Sequence, residues 1–177
     1  ELSRLLWRRI SPHRPYSPLV RLVSTLSETA MTTCVFCAIV AKKMPASIIY
    51  EDEYCVAFLD LFPLRPAHAL VINKRHAQYV HELSGEERSH LFEIANKVSL
   101  AIRASSFKPA AVHFQINDGK AAHQTVPHVH LHILPRYPAD SAAFVGSLLA
   151  KPLMMLKGGL SRKVLDKQAE EIRKNIS

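Results

Sequence analysis

This chain lacks several things, and each absence narrows what it can be. No apolar run approaches the roughly 18 residues that a bilayer-spanning helix needs, so the sequence offers no membrane span. Its three cysteines, Cys34, Cys37 and Cys55, make no disulfide framework. A reducing compartment is the simpler reading. Acids are outnumbered: 15 Asp and Glu face 23 Lys and Arg, a net charge of +8. That excess is spread along the chain. It favours small anions modestly and gives little support to nucleic-acid binding. Internal repeats and low-complexity tracts are also missing. What remains is 177 residues, 48% apolar and 21% charged, the profile of a soluble domain with a real core.

Residues 1–30 differ from the rest. They carry Arg4, Arg8, Arg9, Arg14 and Arg21 against two acids, and Pro12, Pro15 and Pro18 interrupt regular structure. An Arg-rich, Ser-containing, acid-poor segment fits a mitochondrial presequence. Three readings stay open: a targeting segment, an upstream extension ahead of a start at Met31, and a structural arm. The expected address is cytoplasmic, with the mitochondrion as the alternative that this segment raises. Residues 31–140 carry the domain's motifs, and residues 141–177 form a C-terminal segment ending in a helix.

Local patterns give the order of elements. Cys34–Lys43 reads as a short helix. Ser47–Glu51 and Tyr54–Asp60 read as a hairpin, followed by a proline loop at Phe62–Pro66. His68–Asn73 is an apolar strand. Ser84 with Glu87 makes a capping box. The long helix it opens buries Leu91, Ile94, Ala95, Val98 and Ile102 at helical spacing. Strands follow at Ala110–Asn117 and Val126–Leu134, and Ser161 caps a last helix running to about Ile176. Strands with one long helix between them and mostly antiparallel pairing give an α+β domain.

The chemistry concentrates in His128-Val129-His130-Leu131-His132. Alternation with period 2 puts Val129, Leu131 and Ile133 on one face of a strand and three imidazoles on the other. Imidazole titrates near neutrality and serves as nucleophile, acid, base or metal ligand. A single ion held by all three is disfavoured. At roughly 3.3 Å per residue the outer two backbones stand about 13 Å apart, too far for metal–nitrogen bonds of about 2 Å. The row suits a longer object, such as a phosphate ester. Upstream, Asn117-Asp118-Gly119 signals a turn, and Asn117, Gln124 and Thr125 offer neutral hydrogen bonds to phosphoryl oxygens. The plain alternative for this loop is an ordinary hairpin connection.

Together, NDGKAAHQTVPHVHLHILPR resembles the histidine-triad (HIT) superfamily of nucleotide hydrolases and transferases, and within it the adenosine 5′-monophosphoramidase branch. The likeness runs from about Cys34 to Arg136. His123 departs from it, since many members carry Gly there. The resemblance implies a five-stranded antiparallel sheet with flanking helices and a two-fold dimer. It implies His130 as nucleophile, with His132 and Thr125 on the non-bridging phosphate oxygens. Asn117 would orient the phosphate or leaving group, and His123 and Gln124 would line the loop through backbone donors. His128 and His68 would fix the tautomer of His130. His68 is equally a buried core histidine satisfied by hydrogen bonds.

Asp60, with Leu61 beside it, matches the family's ribose-binding acid; otherwise it is a strand-end turn residue. Val35, Phe36 and Ile39 match the purine pocket; by periodicity alone they are plain core. Cys34-Val35-Phe36-Cys37 is a lone CxxC, open to metal, redox or neither role. With His76 and His128 it matches a structural zinc set in similar proteins. No organic cofactor, membrane or nucleic-acid partner is expected.

The leading function is hydrolysis of nucleoside 5′-phosphoramidates or related adenylates through a nucleotidyl-histidine. The alternatives are a dinucleoside polyphosphate hydrolase, a nucleotide-binding interaction protein with incidental hydrolysis, and a metal-dependent hydrolase using the triad.

Overall fold

The computed structural model describes residues 34–177, so the segment 1–30 and its three readings lie outside the described residues. The elements in chain order are α1 (Val35–Val40), β1 (Ile48–Glu51), β2 (Cys55–Leu59), β3 (Ala69–Asn73), α2 (Gly85–Ala104), β4 (Ala111–Ile116), β5 (His130–Arg136), α3 (Ser141–Leu156) and α4 (Arg162–Arg173). The strands form one antiparallel sheet in the order β1-β2-β3-β5-β4. The α+β class and the five-stranded sheet are as expected.

Alternation along the central strands divides the molecule into two layers. Ala57, Leu59, Val71, Leu131 and Ile133 face a core completed by Leu91, Ile94, Val98 and Ile102 of α2 and by Leu165, Ala169 and Ile172 of α4. Val56, Phe58, Leu70 and Ile72 face the other way, into a smaller core under Phe36 of α1. Both faces are covered, so β2 and β3 are buried at every residue. His130 pairs with Ile72, and His132 with Leu70. Register thus sets these two histidines on the α1 side of the sheet.

The long helix begins where the capping box put it. Ser84 Oγ accepts from Glu87 N at 3.1 Å, and Glu87 Oε2 accepts from Ser84 N at 2.7 Å. Arg75 then clamps Glu87 through two bonds of 2.6 Å. Ser161 precedes α4, but its side chain makes no capping bond; its carbonyl accepts from Val164 and Leu165 instead.

Two local readings need correction. The fifth strand was expected from Val126, yet its ladder starts at His130. Pro127 brings no N–H, His128 N turns back to Val126 O at 2.8 Å, and Val129 N is taken by Ala77 O at 2.7 Å. The second is α3, which has no counterpart in the sequence reading. It contains Pro152 and buries none of its residues fully. Its usual start signal is masked, because the Asp140 carboxylate is spent on Arg136 and on Tyr137 N. After α3, Gly159 takes φ +83, and a Cβ there would meet Leu61 O at 2.5 Å. This close approach lets Leu160 N bond Leu61 O at 3.0 Å, tying the C-terminal helices to the wall of the cleft.

Candidate active site

The two strand histidines open into a cleft of ≈ 460 Å³. Val35, Phe36 and Ile39 of α1 form its apolar wall, and Asp60 and Leu61 stand at the end of β2. Thr125, His130 and His132 complete the polar side. A second cavity of ≈ 540 Å³ shares Thr125, His130 and His132 and adds Asn117, His123 and His68. Most of the anticipated substrate-binding residues therefore converge on one place from four separate stretches of chain.

Hydrogen bonds settle which ring nitrogen of each histidine carries the proton. His130 Nδ1 lies 2.7 Å from the main-chain oxygen of His128. A carbonyl only accepts, so Nδ1 carries the hydrogen and Nε2 keeps a bare lone pair. Leu64 N–H donates to His68 Nδ1 at 3.3 Å. His68 Nε2–H therefore donates to His132 Nδ1 at 3.0 Å, which leaves His132 Nε2–H as a donor. One imidazole thus offers a lone pair and its neighbour offers a hydrogen. The pair sits edge to face with ring centroids 4.9 Å apart, and Phe36 packs edge-on to His130 at 5.2 Å.

These contacts revise several expected roles. His68 acts on His132 rather than on His130: it stands just before β3, diagonal to His132, which pairs with Leu70, and its Nε2 reaches His132 Nδ1 at 3.0 Å. His128 holds the His130 tautomer through its carbonyl, while its imidazole points elsewhere. Neither His123 nor Gln124 has a free backbone donor: a 3₁₀ turn consumes both, on Lys120 O and Gly119 O. The Gln124 side chain braces the loop, accepting from Gly119 N and donating to Gln78 O. Asp60 Oδ1 accepts from Phe62 N at 2.9 Å, as a turn residue would, while Oδ2 lies 3.4 Å from His68 Nδ1. Sequence reasoning missed Lys151 of α3, which lines both cavities. Its being the single charged residue between Ser141 and Leu156 was the available signal.

The site is electrically quiet. Burial pushes the His68 imidazole down to about 4, with Asp60 opposing. Burial, then His68 and His130, push His132 down to about 3. Burial also lowers His130, partly offset by its bond to the His128 carbonyl. All three are neutral at pH 7, as a nucleophilic imidazole must be.

A stability effect follows. The unfolded chain protonates His68 near its ordinary 6.5, whereas the folded chain holds it neutral down to about 4. Between those values the unfolded state binds more protons, so stability is full above pH 6.5 and falls as pH drops. For this fully buried group the loss amounts to about 3 kcal/mol. Urea unfolding of wild type and of His68→Asn at pH 7 and pH 4.5 isolates it as the difference between the two slopes, since His132 is held neutral over the same window.

A separate cluster lies beside His130, away from the cleft. Cys34, Cys37, His76 and His128 bring four ligand atoms within 4.8 Å of one another. His128 Nε2–H donates to Asn73 O at 2.8 Å, which turns a bare Nδ1 toward both sulfurs, at 3.5 and 3.6 Å. The two Nδ1 atoms of His76 and His128 are 3.3 Å apart, as are Cys37 Sγ and His76 Nδ1. A tetrahedron around zinc has edges of about 3.3–3.8 Å for these ligand types. The donor set and spacing fit such an ion. Burial and the neighbouring Cys34 push the Cys37 thiol up to about 12, so paired thiolates here need a cation between them. Asp60, His68 and His132 form another close group, in which a hydrogen bond of 3.0 Å ties the two rings together.

Comparison with known proteins agrees with this architecture. The family model described as HIT domain matches residues 41–139. This chain belongs to the HIT family. A HIT-like protein of Mycobacterium tuberculosis is 38% identical over 137 residues, covering 76% of this chain and 94% of the relative. A protein named adenosine 5′-monophosphoramidase in Schizosaccharomyces pombe is 39% identical over 114 residues, covering 64% of this chain and 82% of the relative. Among solved HIT structures, a zinc-bound histidine triad family protein from Mycobacterium smegmatis aligns with a TM-score of 0.68 at 32% identity. That alignment covers 82% of this chain and 94% of the other.

Proposed function

We propose that the protein hydrolyses nucleoside 5′-phosphoramidates or related adenylates through a nucleotide covalently held on His130. The observation that carries this reading is the bare Nε2 of His130, fixed by the bond from Nδ1 to the His128 carbonyl, beside an apolar wall and a carboxylate. In this account the purine lies against Val35, Phe36 and Ile39, and Asp60 Oδ2 accepts from the ribose. His132 Nε2–H and Thr125 hold the phosphate oxygens. Nε2 of His130 attacks phosphorus, and the P–N bond breaks as the leaving nitrogen takes up a proton. Water then cleaves the nucleotidyl-imidazole, releasing AMP and restoring His130. Two easier steps replace one hard one. The fission-yeast relative's name supports the phosphoramidate assignment. Incubation with adenosine 5′-phosphoramidate and with a diadenosine polyphosphate decides between the enzyme readings: rapid AMP release from the first is expected, and cleavage of the second alone would overturn the proposal.

Asp60 gives a sharper check of the nucleotide's orientation. Asp60→Ala should weaken binding of AMP roughly 10- to 150-fold more than binding of its 2′,3′-dideoxy analogue, since a charge-assisted hydrogen bond is worth about 1.5–3 kcal/mol. Loss of the turn affects both ligands alike and cancels in the ratio. Equal losses would mean that Asp60 only holds Phe62.

We assign the four-residue cluster to a structural zinc ion. Cys34, Cys37, His76 and His128 would hold it, and four protein ligands leave no open position for catalysis. The ion would supply folding energy and fix the segment whose carbonyl sets His130. The zinc-bound mycobacterial neighbour supports this choice of metal.

We further infer a homodimer. β4 is one of the two outer strands of the sheet, and Phe114 on it is exposed, as are Phe92 and Leu100 of α2. An open, partly apolar edge invites pairing with a second copy. Light scattering should give about twice 19.9 kDa; a monomer at micromolar concentration would contradict it.

A further inference from the structure

The first cavity accounts for a base, a ribose and a phosphate, and leaves the second unassigned. Its cover is α3. Phe144, Leu148, Lys151, Pro152 and Met155 recur at helical spacing on one face of that helix, and all five line the second cavity. Leu64 and Leu134 line it as well. Lys151 also borders the first cavity, so it stands where the two cavities meet, while the reacting phosphorus lies by His130 and His132, which both cavities share. The remaining substituent on phosphorus would enter this second space, which adjoins the first at Thr125, His130 and His132.

The charge pattern of that space is one-sided. Among the described residues neither Asp nor Glu lines it; Lys151 is the one lysine there, and the other polar groups are Gln115, Asn117, Thr125 and histidines. A cationic leaving group would meet Lys151 with no counter-charge, in a cleft where screening by water is reduced. An apolar body would meet leucine, phenylalanine and methionine, and an anion carried on it would pair with Lys151. A polyphosphate chain, with several charges, calls for more than one cation. We propose that the cavity under α3 is a leaving-group subsite for an apolar body bearing a carboxylate, and that Lys151 is its specificity-determining residue. The proposal rests on the phosphoramidate reading above.

The test uses three adenosine 5′-phosphoramidates with the full chain: the unsubstituted compound, one made from 6-aminohexanoic acid and one made from 1,6-diaminohexane. The last two share length and apolar body and differ in the sign of the terminal charge. Wild-type protein should favour the carboxylate compound over the ammonium compound by at least about tenfold in kcat/KM. Lys151→Arg should keep that ratio, Lys151→Ala should bring it near one, and Lys151→Glu should invert it. Because the readout is a ratio within each variant, a general loss of activity does not move it. A wild-type ratio near one, or one unchanged in Lys151→Glu, overturns the subsite. Cleavage of the unsubstituted compound without discrimination overturns the subsite alone. Cleavage of none of the three overturns the phosphoramidate reading and the subsite with it.

Discussion

Replacing His130 by Asn should cut turnover by at least about 10³-fold while AMP binding stays near wild type. The size of the effect follows from what is removed. Asn is close in shape to the near half of the imidazole, and its amide can still donate to the His128 carbonyl, which His130 Nδ1 reaches at 2.7 Å. What it lacks is a nucleophilic lone pair at the Nε2 position. One lost hydrogen bond costs about 0.5–1.5 kcal/mol, which is roughly tenfold in rate. Loss of the attacking atom removes the covalent route altogether. AMP release gives the rate and calorimetry gives the affinity. Turnover retained within about tenfold would sink the nucleotidyl-histidine mechanism, and lost binding would point to a contact role instead.

Removing the metal should unsettle fold and catalysis together. Purified protein is expected to hold about one zinc ion per chain, and Cys34→Ser should hold none. The four ligands come from α1, from the turn after β3 and from the segment leading into β5, so the ion would tie three distant stretches. A structural site contributes its binding energy to folding. This domain has its own core, so a partial loss is expected, each 1 kcal/mol of it lowering the thermal midpoint by roughly 2–4 °C. His128 would be both a ligand and the residue whose carbonyl holds the His130 tautomer. Chelation should therefore lower turnover and melting temperature in parallel. Lost turnover with an unchanged melting temperature would favour metal-dependent catalysis. Elemental analysis showing no zinc, or zinc retained in Cys34→Ser, would overturn the assignment.

Much of this was legible because period and position are local signals. The alternation through Val129, Leu131 and Ile133 fixed the buried face of β5, and the Ser84–Glu87 box marked the start of α2. The joint presence of Cys34, Cys37, His76 and His128 allowed the cluster to be anticipated from resemblance, although 94 residues separate the first ligand from the last. What stayed hidden depends on tertiary contacts. Nothing in the alternation says that Ala77 O captures Val129 N, which takes His128 off the ladder and lets its ring leave the row. The partner of His68 is set by how β3 docks on β5, which puts His68 diagonal to His132 and which no local pattern specifies. α3 was missed because Phe144, Val145, Leu148, Leu149 and Leu153 clothe it on most sides, which erases the amphipathic period, and Pro152 reads as a break. Lys151 went unnoticed with it.

The central claim is that His130 carries the nucleotide during turnover. The most direct measurement is acid-free rapid quenching of the enzyme with a radiolabelled adenosine 5′-phosphoramidate, followed by peptide mass spectrometry. An adenylate adduct is expected on the peptide containing His130, formed and discharged at rates compatible with turnover and absent from His130→Asn. Steady turnover with no adduct on any histidine, or an adduct on His132 instead, would contradict it.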